Sequence, residues 1–227
     1  MADSAELSNP RVSRGFSFHL APEGAKIPLL ALLAAIVAYV IGLMWVGLIL
    51  LAAAAFSAWF FRDPERVPPR LEGVVISGAD GKVIEISEGP APQIDGEHYR
   101  KVGVFMSPMN VHVNRVPVDG EVISVTHTPG QFRAAFSDYA SQHNERTLIV
   151  MADRQGRRHA MVQIAGYLAR RIICRLHPHE HVTQGERLGI IMFGSRVDHF
   201  LPPEYRVTVS LGQRVRAGES IIGELAQ

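Results

Sequence analysis

The sequence predicts a mainly β domain preceded by an N-terminal apolar helical hairpin. Three observations predict it. Residues 27–61 contain no Asp, Glu, Lys or Arg. Beyond residue 71 the pattern changes to short runs of β-type residues separated by glycine turns. Within that region a device recurs: Val182-Thr-Gln-Gly-Glu-Arg-Leu and Val215-Arg-Ala-Gly-Glu-Ser-Ile share the pattern V-x-x-G-E-x-(L/I).

Composition bounds the classes available. The chain has 227 residues, enough for one domain and an appendage. A hydrophobic fraction of 47% with 20% charged residues excludes wholesale disorder. The net charge of +1 gives no electrostatic footprint for a nucleic-acid partner, and none is expected. One cysteine, Cys174, makes neither an internal disulfide nor a Cys-based zinc site, which fits a reducing compartment.

Taken in order, residues 1–26 read as a loose tail of Ser, Asn, Pro and Gly with scattered charge. As one helix, 27–61 would run roughly 52 Å, well beyond a hydrocarbon core of ~30 Å. A hairpin breaking near Gly42, with arms of about 15 and 19 residues, is more economical and would barely span. Arg11, Arg14 and Lys26 precede this segment and Arg62, Arg66 and Arg70 follow it. Positive charge on both flanks favours two ends on the cytoplasmic side of a cell membrane. Residues 62–70 (RDPERVPPR) carry three prolines and read as a stiff linker. The domain proper is 71–227.

Inside it, Asp80-Gly81 and Asp119-Gly120 each sit between apolar runs and read as hairpin turns. Residues 147–152 and 159–165 read as strands joined by Asp153-Arg154-Gln155-Gly156. Helix is sparse; residues 130–141 hold the best helical period, with Phe132, Ala135, Phe136 and Tyr139 on one face. Repeated short hairpins of this kind resemble the barrel-sandwich of lipoyl and biotinyl carrier domains. His177-Pro-His-Glu-His181 places three imidazoles at alternate positions, but proline and glutamate mark an exposed loop, and no metal site is expected.

Five segments, in order, carry a more specific resemblance. They are Phe60-Phe61-Arg62-Asp63-Pro64, Ser107-Pro108-Met109-Asn110-Val111-His112-Val113-Asn114-Arg115, Asn144-Glu145-Arg146, Ala165-Gly166-Tyr167-Leu168-Ala169-Arg170-Arg171-Ile172 and Phe193-Gly194-Ser195-Arg196. Together they resemble the phosphatidylserine decarboxylases, in their short bacterial or archaeal form, over about residues 60–227. The resemblance implies a pyruvoyl enzyme made by self-cleavage between Gly194 and Ser195. Its products would be a β chain of 1–194 and an α chain of 195–227 whose first residue is a pyruvate-derived group. That covalent cofactor would form a Schiff base with the amine of phosphatidylserine and yield phosphatidylethanolamine. The two chains would stay together as a heterodimer at the membrane, which is compatible with a higher homo-oligomer.

The residue types suit that chemistry. The Ser195 hydroxyl can attack the Gly194 carbonyl, which has no side chain to block the approach and can occupy a strained turn. His112 is the acid/base candidate, on the motif that matches the family. Asp80 is the candidate to orient a histidine. Longer bacterial relatives carry a second histidine three residues after the first; here that position is Arg115. Arg170 and Arg171 are candidates for a lipid phosphate, which guanidinium groups bind in bidentate fashion. The competing expectation is a membrane-anchored barrel-sandwich adaptor without enzymatic activity, although the long coiled-coil heptads of an adaptor are missing.

Overall fold

A computed structural model describes residues 19–69, 71–94, 98–133, 143–167, 171–192 and 194–226. Two helices come first, α1 (Lys26–Val40) and α2 (Met44–Phe60). The strands that follow are β1 (Val74–Ile76), β2 (Gly81–Gly89), β3 (Tyr99–Met106), β4 (Val113–Arg115), β5 (Gly120–Thr128), β6 (Arg146–Asp153), β7 (Arg158–Ile164), β8 (Ile172–Cys174), β9 (His181–Val182), β10 (Arg187–Ile191), β11 (Ser195–Leu201), β12 (Tyr205–Val207), β13 (Arg214–Val215) and β14 (Ile221–Leu225). The molecule is mainly β.

Gly42, at φ +84°, makes the turn between the helices. Small residues let them approach: a Cβ on Gly47 would lie 3.2 Å from the Ala35 carbonyl oxygen, and Ala35, Ala38 and Ala54 are buried. Elsewhere the pair is apolar and exposed, with Leu30 64% and Trp45 72% accessible. At 15 and 17 residues the helices are about 22 and 26 Å long. Among the described residues, no helix is long and apolar enough to cross a membrane.

The eight-stranded antiparallel sheet runs β13-β2-β3-β11-β7-β6-β5-β9. Register shifts interrupt β2 between Val83 and Glu85 and β5 between Val122 and Ser124, and such irregularities add bend and twist. The sheet curls, so that one core gathers Val83, Val104 and Val197 with Val122, Ile149 and Met161. Two three-stranded sheets, β1-β14-β12 and β4-β10-β8, accompany it, and residues of both join that core.

The repeated V-x-x-G-E device is real at the level of backbone. Gly185 (φ +85°) and Gly218 (φ +77°) occupy the turns leading from β9 to β10 and from β13 to β14. The β6–β7 hairpin also forms where its sequence places it, with Ala152 opposite Arg158 and Gly156 at φ +80°.

The Asp-Gly turns differ from the hairpins expected of them. β1 pairs with β14 while β2 pairs with β3 and β13, so the chain changes sheets at Asp80-Gly81. Asp119-Gly120 likewise sends the chain from β4, paired with β10, to β5, paired with β6 and β9. Their glycines serve close approach: an added Cβ would lie 2.1 Å from the Phe105 oxygen at Gly81 and 1.9 Å from the Ala152 oxygen at Gly120. Of the helix expected over 130–141, residues 134–141 lie outside the described residues, and 130–133 are not helical.

The stretch after α2 is a strap fastened to the β domain. Asp63 binds both Arg115 and Arg187, and Glu65 pairs with Arg187. Arg66 binds Asp80 at 2.9 Å and Glu219 at 3.1 Å. Leu20 bridges to Arg62, and the Ala21 N–H donates to the Phe61 carbonyl. Both outer ends of the helix pair therefore meet at one edge of the domain.

Candidate active site

β11 is buried along its whole length between β3 and β7. Its first residue, Ser195, is fully buried opposite Met106, the last residue of β3. The Ser195 hydroxyl donates to the Met106 sulfur at 3.4 Å, a soft and weak acceptor. Gly194 holds φ +58°, the left-handed region, and nothing lies within 4 Å of where its Cβ would be. A glycine in a turn costly to other residues thus immediately precedes a buried hydroxyl.

The loop that leaves Met106 carries His112. Asn110 shapes it by accepting from the Ser107 N–H at 2.9 Å and the Ser107 hydroxyl at 2.7 Å. The His112 ring is inaccessible and lies against Phe60 at the end of α2, centroids 4.3 Å apart. Its Nδ1 faces the Asn110 carbonyl at 3.0 Å, so Nδ1 carries the hydrogen and Nε2 keeps the lone pair. Nε2 is buried without a hydrogen-bond partner among the described residues. The backbone N–H of Ile191, three residues before Gly194, donates to the His112 carbonyl at 3.4 Å.

Ser195 and His112 are thus brought to one end of β3. The Asp80 carboxylate is held by Arg66 and the Ala217 N–H. Burial pushes its pKa up, against the pull of Arg66. Arg115 is committed to Asp63, the Pro64 carbonyl and the Gly185 carbonyl. Arg171 is exposed, and its carbonyl accepts from the Met192 N–H, two residues before Gly194. Arg170 lies outside the described residues. His177 and His179 are solvent-exposed, and among the described residues no group of His, Cys, Asp or Glu is arranged to hold a metal ion.

Residues that the motif reading did not single out complete the surroundings. Asn114 donates to the Gly78 carbonyl at 3.2 Å and to the same Met106 sulfur at 3.6 Å, and accepts from Gln163 at 2.9 Å. His199, on the Ser195 strand, accepts from the Gly78 N–H at 2.9 Å through Nε2. Asn114 was within reach of sequence reasoning, being two residues from His112. A lone Gln inside the apolar run of β7 was a second signal, since a buried amide needs partners.

Burial pushes the pKa of both His112 and His199 down to about 4. In the unfolded chain these rings take up protons near pH 6.5, so on acidification the unfolded state gains protons first. Stability is whole above that value and is lost as pH falls from about 6.5 towards about 4. Each ring contributes up to roughly 3 kcal/mol to that loss. The urea midpoint is expected to drop between pH 7 and pH 4.5; a constant midpoint would contradict the burial of these rings as neutral groups.

With this geometry in place, comparison with known sequences is decisive. A family model described as phosphatidylserine decarboxylase matches residues 53–223. The chain belongs to the phosphatidylserine decarboxylase family. It is similar to the phosphatidylserine decarboxylase proenzyme of Nitratidesulfovibrio vulgaris, 44% identical over 216 residues that cover 95% of this chain and 96% of that one. The corresponding proenzyme of Syntrophus aciditrophicus is 44% identical over 179 residues, 79% of this chain and 84% of the other. That of Desulfotalea psychrophila is 46% identical over 178 residues, 78% and 83%. The family is one of enzymes, so the adaptor expectation gives way. The matched span starts inside α2 and includes His112, Gly194 and Ser195.

Proposed function

We propose that this chain is a self-processing decarboxylase that converts phosphatidylserine to phosphatidylethanolamine, using a pyruvoyl group made from Ser195. The observation that carries the reading is Gly194 in a left-handed turn immediately before the buried Ser195 hydroxyl. In the self-cleavage, Ser195 Oγ attacks the Gly194 carbonyl carbon, the peptide C–N bond breaks, and an ester replaces the amide. Loss of the Ser195 α-proton with cleavage of its Cβ–O bond frees the Gly194 carboxylate. Addition of water and release of ammonia then leave a ketone on residue 195. The open space around Gly194 fits this sequence of steps.

The pyruvoyl group supplies an electron sink for the pair released with carbon dioxide. His112 does the proton work. Its Nδ1–H is fixed by Asn110, so the free lone pair on Nε2 can take a proton from the headgroup ammonium and return one to the carbon that has lost its carboxylate. Burial lowers its pKa to about 4 and so keeps the resting ring neutral, with Nε2 unprotonated. Arg171, exposed beside the 192–194 segment, suits the lipid phosphate, with Arg170 as its neighbour in sequence. Asp80, whose carboxylate Arg66 also binds, is the candidate to orient a histidine. Cyanoborohydride added with phosphatidylserine is expected to attach the lipid covalently to the fragment beginning at residue 195. Labelling elsewhere in the chain would refute the assignment.

The two helices are read as a hairpin inserted in the cytoplasmic face of the cell membrane, and the β domain as related to the barrel-sandwich carriers. Exposed Leu30, Ile36, Trp45 and Ile49 support insertion, and the short helices favour a shallow position over a crossing. The full-length protein is expected to sediment with membranes and to need detergent, whereas a chain starting near Asp63 stays in solution. Full-length protein in a detergent-free high-speed supernatant would remove the anchor from the account. After processing, chains 1–194 and 195–227 remain one heterodimer, because β11 pairs on both sides with strands of the longer chain.

A further inference from the structure

Cleavage before Ser195 would create a chain end in the middle of the large sheet. β11 then keeps its pairing to β3 and β7 but loses its covalent tether at the residue where the chemistry occurs. Strand ends fray, and a slip of one residue turns every side chain to the opposite face. Something must fix the first residues of the new chain.

Side chains alternate along β11. Ser195, Val197 and Leu201 belong to the side of the main core, while Arg196, Asp198 and Phe200 take the other face. Arg196 is completely buried, next to the cleavage site in sequence. Its Nε donates to Asp198 at 2.5 Å, and its Nη2 donates to Glu85 on β2. Lys101 on β3 closes the set, 3.0 Å from Glu85 and 3.2 Å from Asp198. Two cations meet two carboxylates, so the charges balance, with Arg196 and Asp198 buried and Lys101 and Glu85 half-buried. Residue 103, facing this network from β3, is glycine; a Cβ there would lie 2.7 Å from Arg196 Nη2 and 3.0 Å from Asp198 Oδ1.

We infer that Arg196 and Asp198, gripped by Glu85 and Lys101, form an ionic clamp that holds the start of chain 195–227 in register after self-cleavage. The inference rests on cleavage at Gly194–Ser195. Two members of the clamp lie on the short chain and two on the long one, so the cut converts an internal network into a bond between chains. A one-residue slip would carry a guanidinium into the apolar core, which is far more costly than losing a pair of van der Waals contacts. Arg196 faces away from Ser195, so it is a positioning residue that touches no reacting atom.

The test uses Arg196→Met in the full-length protein, and measures cleavage by mass, the carbonyl content with phenylhydrazine, turnover per carbonyl, and amide exchange along residues 196–198. Cleavage and carbonyl formation are expected to occur. Turnover per carbonyl is expected to fall by roughly 100-fold with KM unchanged, the effect of a misplacement of about 1 Å. Exchange at 196–198 is expected to quicken roughly 10- to 100-fold, as for loss of a charged hydrogen bond. Wild-type turnover per carbonyl together with wild-type exchange would overturn the clamp. Should Arg196→Met not mature, Gly103→Ala keeps all four charges and displaces the guanidinium; the same pair of changes supports the clamp, and wild-type behaviour overturns it. If the wild type itself proves uncleaved, the proposed function fails instead.

Discussion

Replacing Ser195 with alanine is expected to leave one uncleaved chain and to reduce decarboxylation by at least about 10⁴-fold, the scale on which removal of a covalent nucleophile acts. The substitution removes one oxygen whose partner among the described residues is the Met106 sulfur, so the fold should tolerate it. Melting temperature and sheet content are therefore expected to stay near wild type, which separates lost chemistry from lost structure. Ser195→Cys retains a nucleophile and eliminates to the same unsaturated residue, so slow processing with eventual activity is expected of it. Cleavage of the alanine variant at position 195 would show that the hydroxyl does not start the reaction.

The second large effect is expected at His112. Alanine there should lower turnover by about 10²- to 10⁴-fold, the usual contribution of a positioned proton-transfer group. Removing the ring also opens space beneath Phe60. His112→Gln is therefore the useful companion, because it keeps much of the volume and loses the basic nitrogen. Chain mass reports on processing and carbon dioxide release on turnover, so the two possible roles separate. Normal processing with normal turnover in both variants would take His112 out of the mechanism.

The parts of this fold legible in the sequence are those set by local rules. The uncharged run of 27–61, the β6–β7 hairpin and the paired V-x-x-G-E turns depend on hydropathy, strand alternation and glycine at positive φ, all of which act within a few residues. Asp80-Gly81 shows where local rules end. The dipeptide suits a hairpin equally well, and only the passage of Phe105 2.1 Å from a would-be Cβ reveals that the glycine answers to a distant strand.

The strap shows the same limit in electrostatics. Arg-Asp-Pro-Glu-Arg-Val-Pro-Pro-Arg has the composition of a stiff linker, yet Asp63 and Arg66 meet Arg115, Arg187, Asp80 and Glu219, all outside the segment. Spacing carries no information about such partners. The candidate site is legible to the extent that its residues share motifs: Gly194, Ser195, His112 and Asn114 all stand in segments that the sequence sets apart. Met106 and Gln163 belong to strands whose convergence only the tertiary structure displays. The departure at Arg115 also acquires a physical meaning, since that side chain fastens the strap and its neighbour Asn114 approaches the sulfur that Ser195 contacts.

The intact mass of the purified wild-type protein reports directly on the bond between Gly194 and Ser195. Two chains are expected, residues 1–194 and residues 195–227. The shorter one should be blocked to Edman degradation, because its first residue bears a ketone in place of an amine. A single full-length mass accompanied by decarboxylase activity would contradict the pyruvoyl mechanism outright.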